Sequence, residues 1–329
     1  MRSYLLIFKY NFRKTKNLTY LTYFSPPMYF ILMQTIELQF PNYPFTSVLG
    51  WSISRFELFD KCKRQYFYQY YYKHVKDVPN YKMSILRELT SVPLEVGNVV
   101  HDCMEALLKR LQQSDSKIDE ERFFRFADEK LQEYFSKKTF IEVYYGQVPS
   151  IDSAAASQKV ISCLHNFLNG PCFNWIYMKA LTNRTGWMIE PPGYGETRLD
   201  GMKAYCKMDF LFPVGDEVYI LDWKTGGKDL SKHGAQLMGY AVAANSNFSI
   251  PWNRIFPKII YLYPQYDELE ISFGEQELKN FFDTIRSQTQ QMQSFCKNVE
   301  QNLPLDISEF PTNPSPGLCR NCKFQQLCG

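Results

Sequence analysis

At 329 residues, 45% hydrophobic and 16% aromatic, the chain is long enough to bury a sizeable core, and the composition supports a globular fold of one large body. Its formal net charge is +3, but Arg2, Lys9, Arg13, Lys14 and Lys16 lie in an acid-free stretch of 33 residues, and removing those five leaves −2, so any phosphate-binding surface must be local. No segment approaches a membrane span, the apolar run Tyr4 to Phe8 is too short for a signal sequence, and nine cysteines without such a signal point to a reducing, cytoplasmic setting in which clustered thiols bind metal.

Residues 1–33 have no periodicity and carry a Pro-Pro break. Two readings compete: a basic aromatic arm, or upstream sequence included by a wrongly chosen start codon, with initiation at Met28 or Met33. The remainder, 34–329, reads as a single domain. Ser54 and Glu57 are spaced as a capping box and open a helix running through Phe59, Cys62, Tyr66 and Phe67 toward Tyr72. Its basic residues Arg55, Lys61, Lys63, Arg64, Lys73 and Lys76, interleaved with tyrosines, could track a nucleic-acid backbone while the aromatics stack on bases, or could be the solvated face of a core helix.

Pro93 to Leu111 is a second helix, with Gly97 placed for close approach of another backbone and His101 one turn later on the same face. Helices over Asp119 to Lys137 and Ser153 to Leu181 form a helical insertion at about 115–182; His165 and Cys163 lie there with no partner for chemistry. Trp187 to Ile189 and Tyr194 to Leu199 read as strands, and Glu196 as a structural carboxylate. A catalytic core follows from about 187 to 273. Asp209 to Phe212 and Val218 to Trp223 flank the turn Pro213-Val214-Gly215-Asp216 and predict an antiparallel hairpin. Alternation puts Val218, Ile220, Asp222 and Lys224 on one side, with Tyr219, Leu221 and Trp223 on the other. If Asp209 faces Asp222, two carboxylates and an ammonium converge in an apolar hairpin, which is costly unless a divalent cation sits between the acids. Ser231 to Ala244 predicts a helix with Gln236 and Tyr240 on one face. Strands at Lys258 to Tyr263 and Glu268 to Phe273 and a helix over Gln276 to Val299 complete the body.

The proline-rich stretch 310–317 cannot hold regular structure and delivers Cys319-x2-Cys322-x5-Cys328, three thiols in one short loop that imply a metal. Cys62 is the best candidate for a fourth ligand, and four thiolates suit either an iron–sulfur cluster or zinc.

Asp209, the hairpin, Asp222-x-Lys224-Thr225-Gly226 and Gln236-x-x-x-Tyr240 in this order resemble the core of the PD-(D/E)XK nuclease superfamily, in particular its RecB-like branch. Gly97-x-x-x-His101 is similar to that branch's first motif, and one early plus three terminal cysteines resemble the [4Fe–4S] staple of AddB-type and CRISPR-associated RecB-like exonucleases. The resemblance implies an α/β, restriction-endonuclease-like core with a mixed sheet flanked by helices, a helical insertion and a terminal metal staple. It implies a metal-dependent DNA exonuclease acting on single-stranded ends. His101, Asp209, Asp222 and the Trp223 carbonyl would hold Mg²⁺ or Mn²⁺, Lys224 would orient the attacking water, and Gln236 and Tyr240 would position substrate. Cys62, Cys319, Cys322 and Cys328 would hold the cluster. The glycine expected shortly before Asp209 is replaced by Cys206 or Lys207, a departure that removes no catalytic group. A catalytically silent iron–sulfur DNA-binding subunit of a helicase–nuclease complex is the alternative, since the chain has no Gly-x-x-x-x-Gly-Lys-Ser/Thr loop of its own. A purely structural zinc protein would leave the acids unexplained.

Overall fold

The computed structural model describes residues 38–191 and 195–328; the stretch 1–33, with its competing readings, lies outside the described residues. Ser52 caps α1 (Ile53–Lys61), its hydroxyl accepting from Arg55 N at 3.1 Å, so the expected start at Ser54 moves two residues upstream. The expected single helix breaks at Cys62, whose extended backbone (φ −161°) ends α1 and lets its thiol cap α2 (Lys63–Tyr70). Tyr66, Phe67, Tyr68 and Tyr71 are buried in the core, so they cannot stack on bases as the surface reading required.

After α3 (Asn80–Glu88), the apolar stripe of α4 (Val92–Gln113) packs against α5 (Glu120–Lys137), which is capped by Asp119. The short α6 (Ile141–Tyr144) leads to α7 (Ser153–Leu168). The long helix expected to reach Leu181 stops at Leu168, and after Gly170 the chain restarts with Pro171 in α8 (Pro171–Lys179). Strand β1 (Met188–Ile189) follows, then β2 (Glu196–Leu199) and β3 (Met202–Tyr205), which form a separate two-stranded ribbon whose β3 also bridges Trp51. Glu196 sits there, paired with Arg198.

Strands β4 (Phe210–Val214) and β5 (Glu217–Lys224) form the expected hairpin. Val214 pairs Glu217, so the turn is Gly215-Asp216 alone; Gly215 takes φ +63°, a left-handed conformation open to glycine. Helix α9 (Leu230–Phe248) crosses over to β6 (Ile255–Tyr261), which lies parallel to β5, and β7 (Asp267–Glu270) closes the edge. The central five-stranded mixed sheet has the order β1-β4-β5-β6-β7. Helix α10 (Glu275–Gln293) ends before the expected Val299, and the remaining residues form a hairpin, β8 (Cys296–Asn298) with β9 (Leu303–Pro304). The tail carries α11 (Pro316–Arg320), which takes in the last two residues of the stretch expected to be irregular because Pro316 sits at the first helical position, and a 3-10 turn at Gln325–Leu327.

Side-chain alternation on β5 divides the hydrophobic interior. Val218 and Ile220 join one core with α1, α2, α9 and α10, while Leu221 and Trp223 join a second core with α4, α5, α7 and α8. Among the described residues, no helix is long and apolar enough to cross a membrane.

Candidate active site

The register of the hairpin builds the site. Phe210 pairs Leu221 and Leu211 pairs Ile220, so Asp209, one step before β4, falls opposite Asp222 on the same face. Its Oδ2 accepts from Trp223 N at 2.8 Å, which fixes the carboxylate against the end of β5. The Trp223 indole turns to the other face, its ring 5.1 Å from that of Phe167. Helix α4 carries His101 to the same place: Nδ1 is 3.4 Å from Asp209 Oδ1 and 3.3 Å from Glu190 Oε1.

Glu190 is the residue that sequence reasoning missed. It follows β1 directly with a left-handed backbone (φ 41°), and its N–H donates to Asp209 O at 2.8 Å. This bond extends the β1–β4 pairing by one step and swings the carboxylate toward His101. Lys207 pairs with its other oxygen at 2.8 Å. An acid closing a short apolar strand before Pro191 was the available signal, but its relevance depends on the pairing of β1 with β4.

Donor atoms of His101, Glu190 and Asp209 lie within 4.8 Å of one another, one nitrogen and two carboxylate oxygens suited to a hard divalent cation. Asp222 stands beside this triplet. Its Oδ1 accepts from Tyr240 at 2.5 Å and Gln236 at 3.2 Å, while Oδ2 meets Lys224 in an ion pair but accepts no well-formed hydrogen bond. That buried, under-satisfied oxygen is a second feature a cation would fit. All the expected catalytic and metal residues, His101, Asp209, Asp222, Trp223, Lys224, Gln236 and Tyr240, line one cleft of about 970 Å³ together with Glu190. Gly97 also borders it, but a Cβ there would stand 3.5 Å from Thr225 Oγ1, an ordinary contact, so no close backbone approach demands the glycine.

The electrostatics follow from burying three acids together. Burial opposes charge on His101, yet Asp209 and Glu190 outweigh it and push the imidazole up to about 10. Burial also works against ionised Asp209, but His101 and Lys224 hold its carboxyl below the usual range. Asp222, penalised by burial and by the Asp209 charge more than Lys224 and Tyr240 relieve it, rises to about 6. The cationic imidazole of His101 thus joins Lys207 and Lys224 in balancing the acids.

The thiols lie elsewhere. Burial, followed by the charges of Cys328, Cys62 and Cys319, pushes Cys322 up to about 11, and Cys328 is raised by burial and then by Cys62. Cys322 and Cys328 therefore each sit within electrostatic reach of Cys62 and Cys319. Cys62 Sγ accepts from Gln65 N at 3.5 Å and Cys322 Sγ from Phe324 N at 3.4 Å.

Compared with known families, residues 50–329 match the family model of the PD-(D/E)XK nuclease superfamily. A search of curated proteins finds no match.

Proposed function

The chain belongs to the PD-(D/E)XK nuclease superfamily, and from that premise we propose that it is a divalent-metal-dependent DNA exonuclease of the RecB-like kind, acting on single-stranded ends in repair, recombination or defence. The observation that carries this reading is the single cleft in which His101, Glu190 and Asp209 converge beside the Asp222–Lys224 pair. His101, Glu190, Asp209 and Asp222 would hold Mg²⁺ or Mn²⁺, with the Trp223 carbonyl as a further oxygen. When bound, such a cation supplies Lewis-acid polarisation of the phosphate and lowers the pKa of a water molecule.

The chain's own groups do the rest. Lys224 projects from the same face of β5 as Asp222 and is held against it, so its ammonium is fixed where it can orient a water and offset charge developing on the phosphoryl oxygens. Tyr240 donates to Asp222 Oδ1; burial and the two aspartates push its own pKa far up, so it remains a neutral donor. Gln236 shares the same oxygen, and the two side chains from α9 keep Asp222 from rotating away. These groups are positioned before substrate arrives, which is what preorganised electrostatic catalysis requires.

The thiol quartet is assigned to a [4Fe–4S] cluster. Four thiolates would also satisfy zinc, and the pattern of one early and three terminal cysteines is what favours the cluster. N–H donors to Cys62 and Cys322 suit thiolate ligands.

The experiment is cleavage of end-labelled single-stranded DNA by anaerobically purified protein with Mn²⁺, Mg²⁺ or EDTA, with Lys224→Ala as control. Metal-dependent shortening of the strand, abolished in the variant while DNA binding persists, is expected. Binding without cutting would instead favour a silent subunit that works beside a helicase.

A further inference from the structure

The cleft has a second chamber of about 740 Å³, which shares Ser54, Lys207, Lys224, Gln236 and Tyr240 with the first. Its chemistry is the inverse of its neighbour's. Asp102, Glu105, Glu190, Asp209 and Asp222 line the first chamber, whereas among the described residues no acid lines the second, whose wall carries Arg55, Arg87, Lys207, Lys224 and Lys232. The three lysines are compensated by Glu190, Asp222 and Glu57. The two arginines are not: among the described residues neither forms an ion pair with a carboxylate.

Arg55 is only 8% exposed. Its Nε donates to Tyr66 Oη and one terminal nitrogen to Gly50 O, both at 3.2 Å, and its guanidinium lies 4.3 Å from the centre of the Tyr70 ring. Arg87 stacks 3.6 Å from the centre of the Tyr72 ring, and its buried Nε has no hydrogen-bond partner. A buried cation without a counter-ion is costly for Arg55, Arg87 is half-buried with its Nε shielded, and stacking on tyrosine fixes both guanidinium groups in place without neutralising them. The missing partner is an anion, and the geometry of a guanidinium fork selects a phosphate or carboxylate.

We propose that this chamber seats the nucleotides next to the scissile bond of a single strand, with Arg55 and Arg87 binding successive backbone phosphates while the bond to be cut lies in the acidic chamber. The inference rests on the nuclease reading of that first chamber. Continuity of the two chambers through Lys224 and Tyr240 favours a polymeric anion over a free one, because a strand fixed at the cations extends directly to the acids. The volume is that of an ordinary small-molecule site, a size that suits a few nucleotides of one strand.

The test is the binding of fluorescein-labelled oligothymidylate in EDTA, followed by anisotropy across a potassium chloride series, for wild type and Arg87→Gln. Each phosphate contact to a single strand contributes about 0.7 to the slope of log K against log salt. Arg87→Gln is expected to lower the slope by about that amount and weaken binding at every salt concentration. An unchanged slope and affinity overturns the proposal. Wild-type protein provides a reading independent of folding of the variant: the oligonucleotide should protect Arg87 from phenylglyoxal, and undiminished modification at saturation overturns the assignment equally. Mn²⁺-dependent cutting of the same oligonucleotide reads the nuclease proposal by itself. No cutting, with an Arg87-dependent slope, removes that reading and leaves the strand-binding chamber standing; cutting with a slope indifferent to Arg87 does the reverse.

Discussion

His101 is where a single proton connects the site to the stability of the molecule. Its imidazole holds a proton up to about 10 in the fold, against 6.5 for the ordinary group. Between those values the folded chain holds a proton that the unfolded chain has released, so the stability this group provides is complete below 6.5 and is lost as pH rises through 10. Asp222 has the same sign lower down, costing stability from 3.8 to about 6, while Asp209, with a lowered pKa, contributes stability above its ordinary value that is lost in acid. For chelator-treated protein, Tm should fall as pH rises from neutral to alkaline, and His101→Gln should flatten that fall. A variant that melts with the wild-type pH profile would refute the assignment. A cation needs the lone pair that the proton now occupies, so Mn²⁺ binding near neutral pH should release protons. Calorimetry in two buffers of different ionisation enthalpy measures that release, and equal heats in both would contradict it. Glu190 supplies one of the three converging atoms. Replacing it with Gln should weaken Mn²⁺ binding by at least about tenfold, and an unchanged affinity would remove it from the ligand set.

Among the elements, the irregular tail carries more packing than its proline content suggests. Phe310 is fully buried, with its ring 4.8 Å from Phe67 and 5.0 Å from Phe295, and its carbonyl accepts from Arg64 Nε at 2.8 Å. Phe310→Ala removes the ring that joins α2 to the β8–β9 hairpin. It should cost about 3–5 kcal/mol in urea unfolding, and a loss under about 1 kcal/mol would show that the tail is not part of the core. The sequence foreshadowed the hairpin of β4 and β5, α4, α5 and α9, because alternation and capping are local signals that packing here reinforced. Three failures had nonlocal or subtle causes. Nothing in Lys61-Cys62-Lys63 marks a helix break, and the extended Cys62 is explained by its thiol capping α2 beside the other cysteines. Cys296 to Asn298 prolonged the helical pattern of α10 but found a strand partner in β9. Glu190 became a site residue only through the register of β1 on β4. The Gly170-Pro171 break, by contrast, was written in the chain.

At the scale of the molecule, the proposal gives two tasks to two different metals on one side of the sheet, where α9 covers Asp222 and the tail packs on the same core. The acid cleft opens at the end of β5, while the proposed cluster would tie the chain's tail to the N-cap of α2, and among the described residues none of the four cysteines lines either chamber. The tail is also tied to the segment around α6, where Tyr145 donates to Lys323 O at 2.8 Å and Gln147 to Arg320 O at 2.7 Å. A centre that binds only the folded arrangement of thiols contributes its binding energy to folding, so its loss should appear as instability. Because none of its ligands lines the cleft, catalysis per folded molecule should survive. Cys322→Ser is therefore expected to lose the iron chromophore and melt at a lower temperature, yet to cut DNA in the cold in proportion to the folded fraction. Asp222→Asn should do the opposite, keeping chromophore and stability while losing cleavage, because it removes a buried charge that the fold itself disfavours. Absorbance, thermal melts and cleavage measured on both variants decide the matter. If Cys322→Ser retained its Tm, the staple would have no structural role, and if it lost cleavage while fully folded, the two metals would be coupled rather than separate.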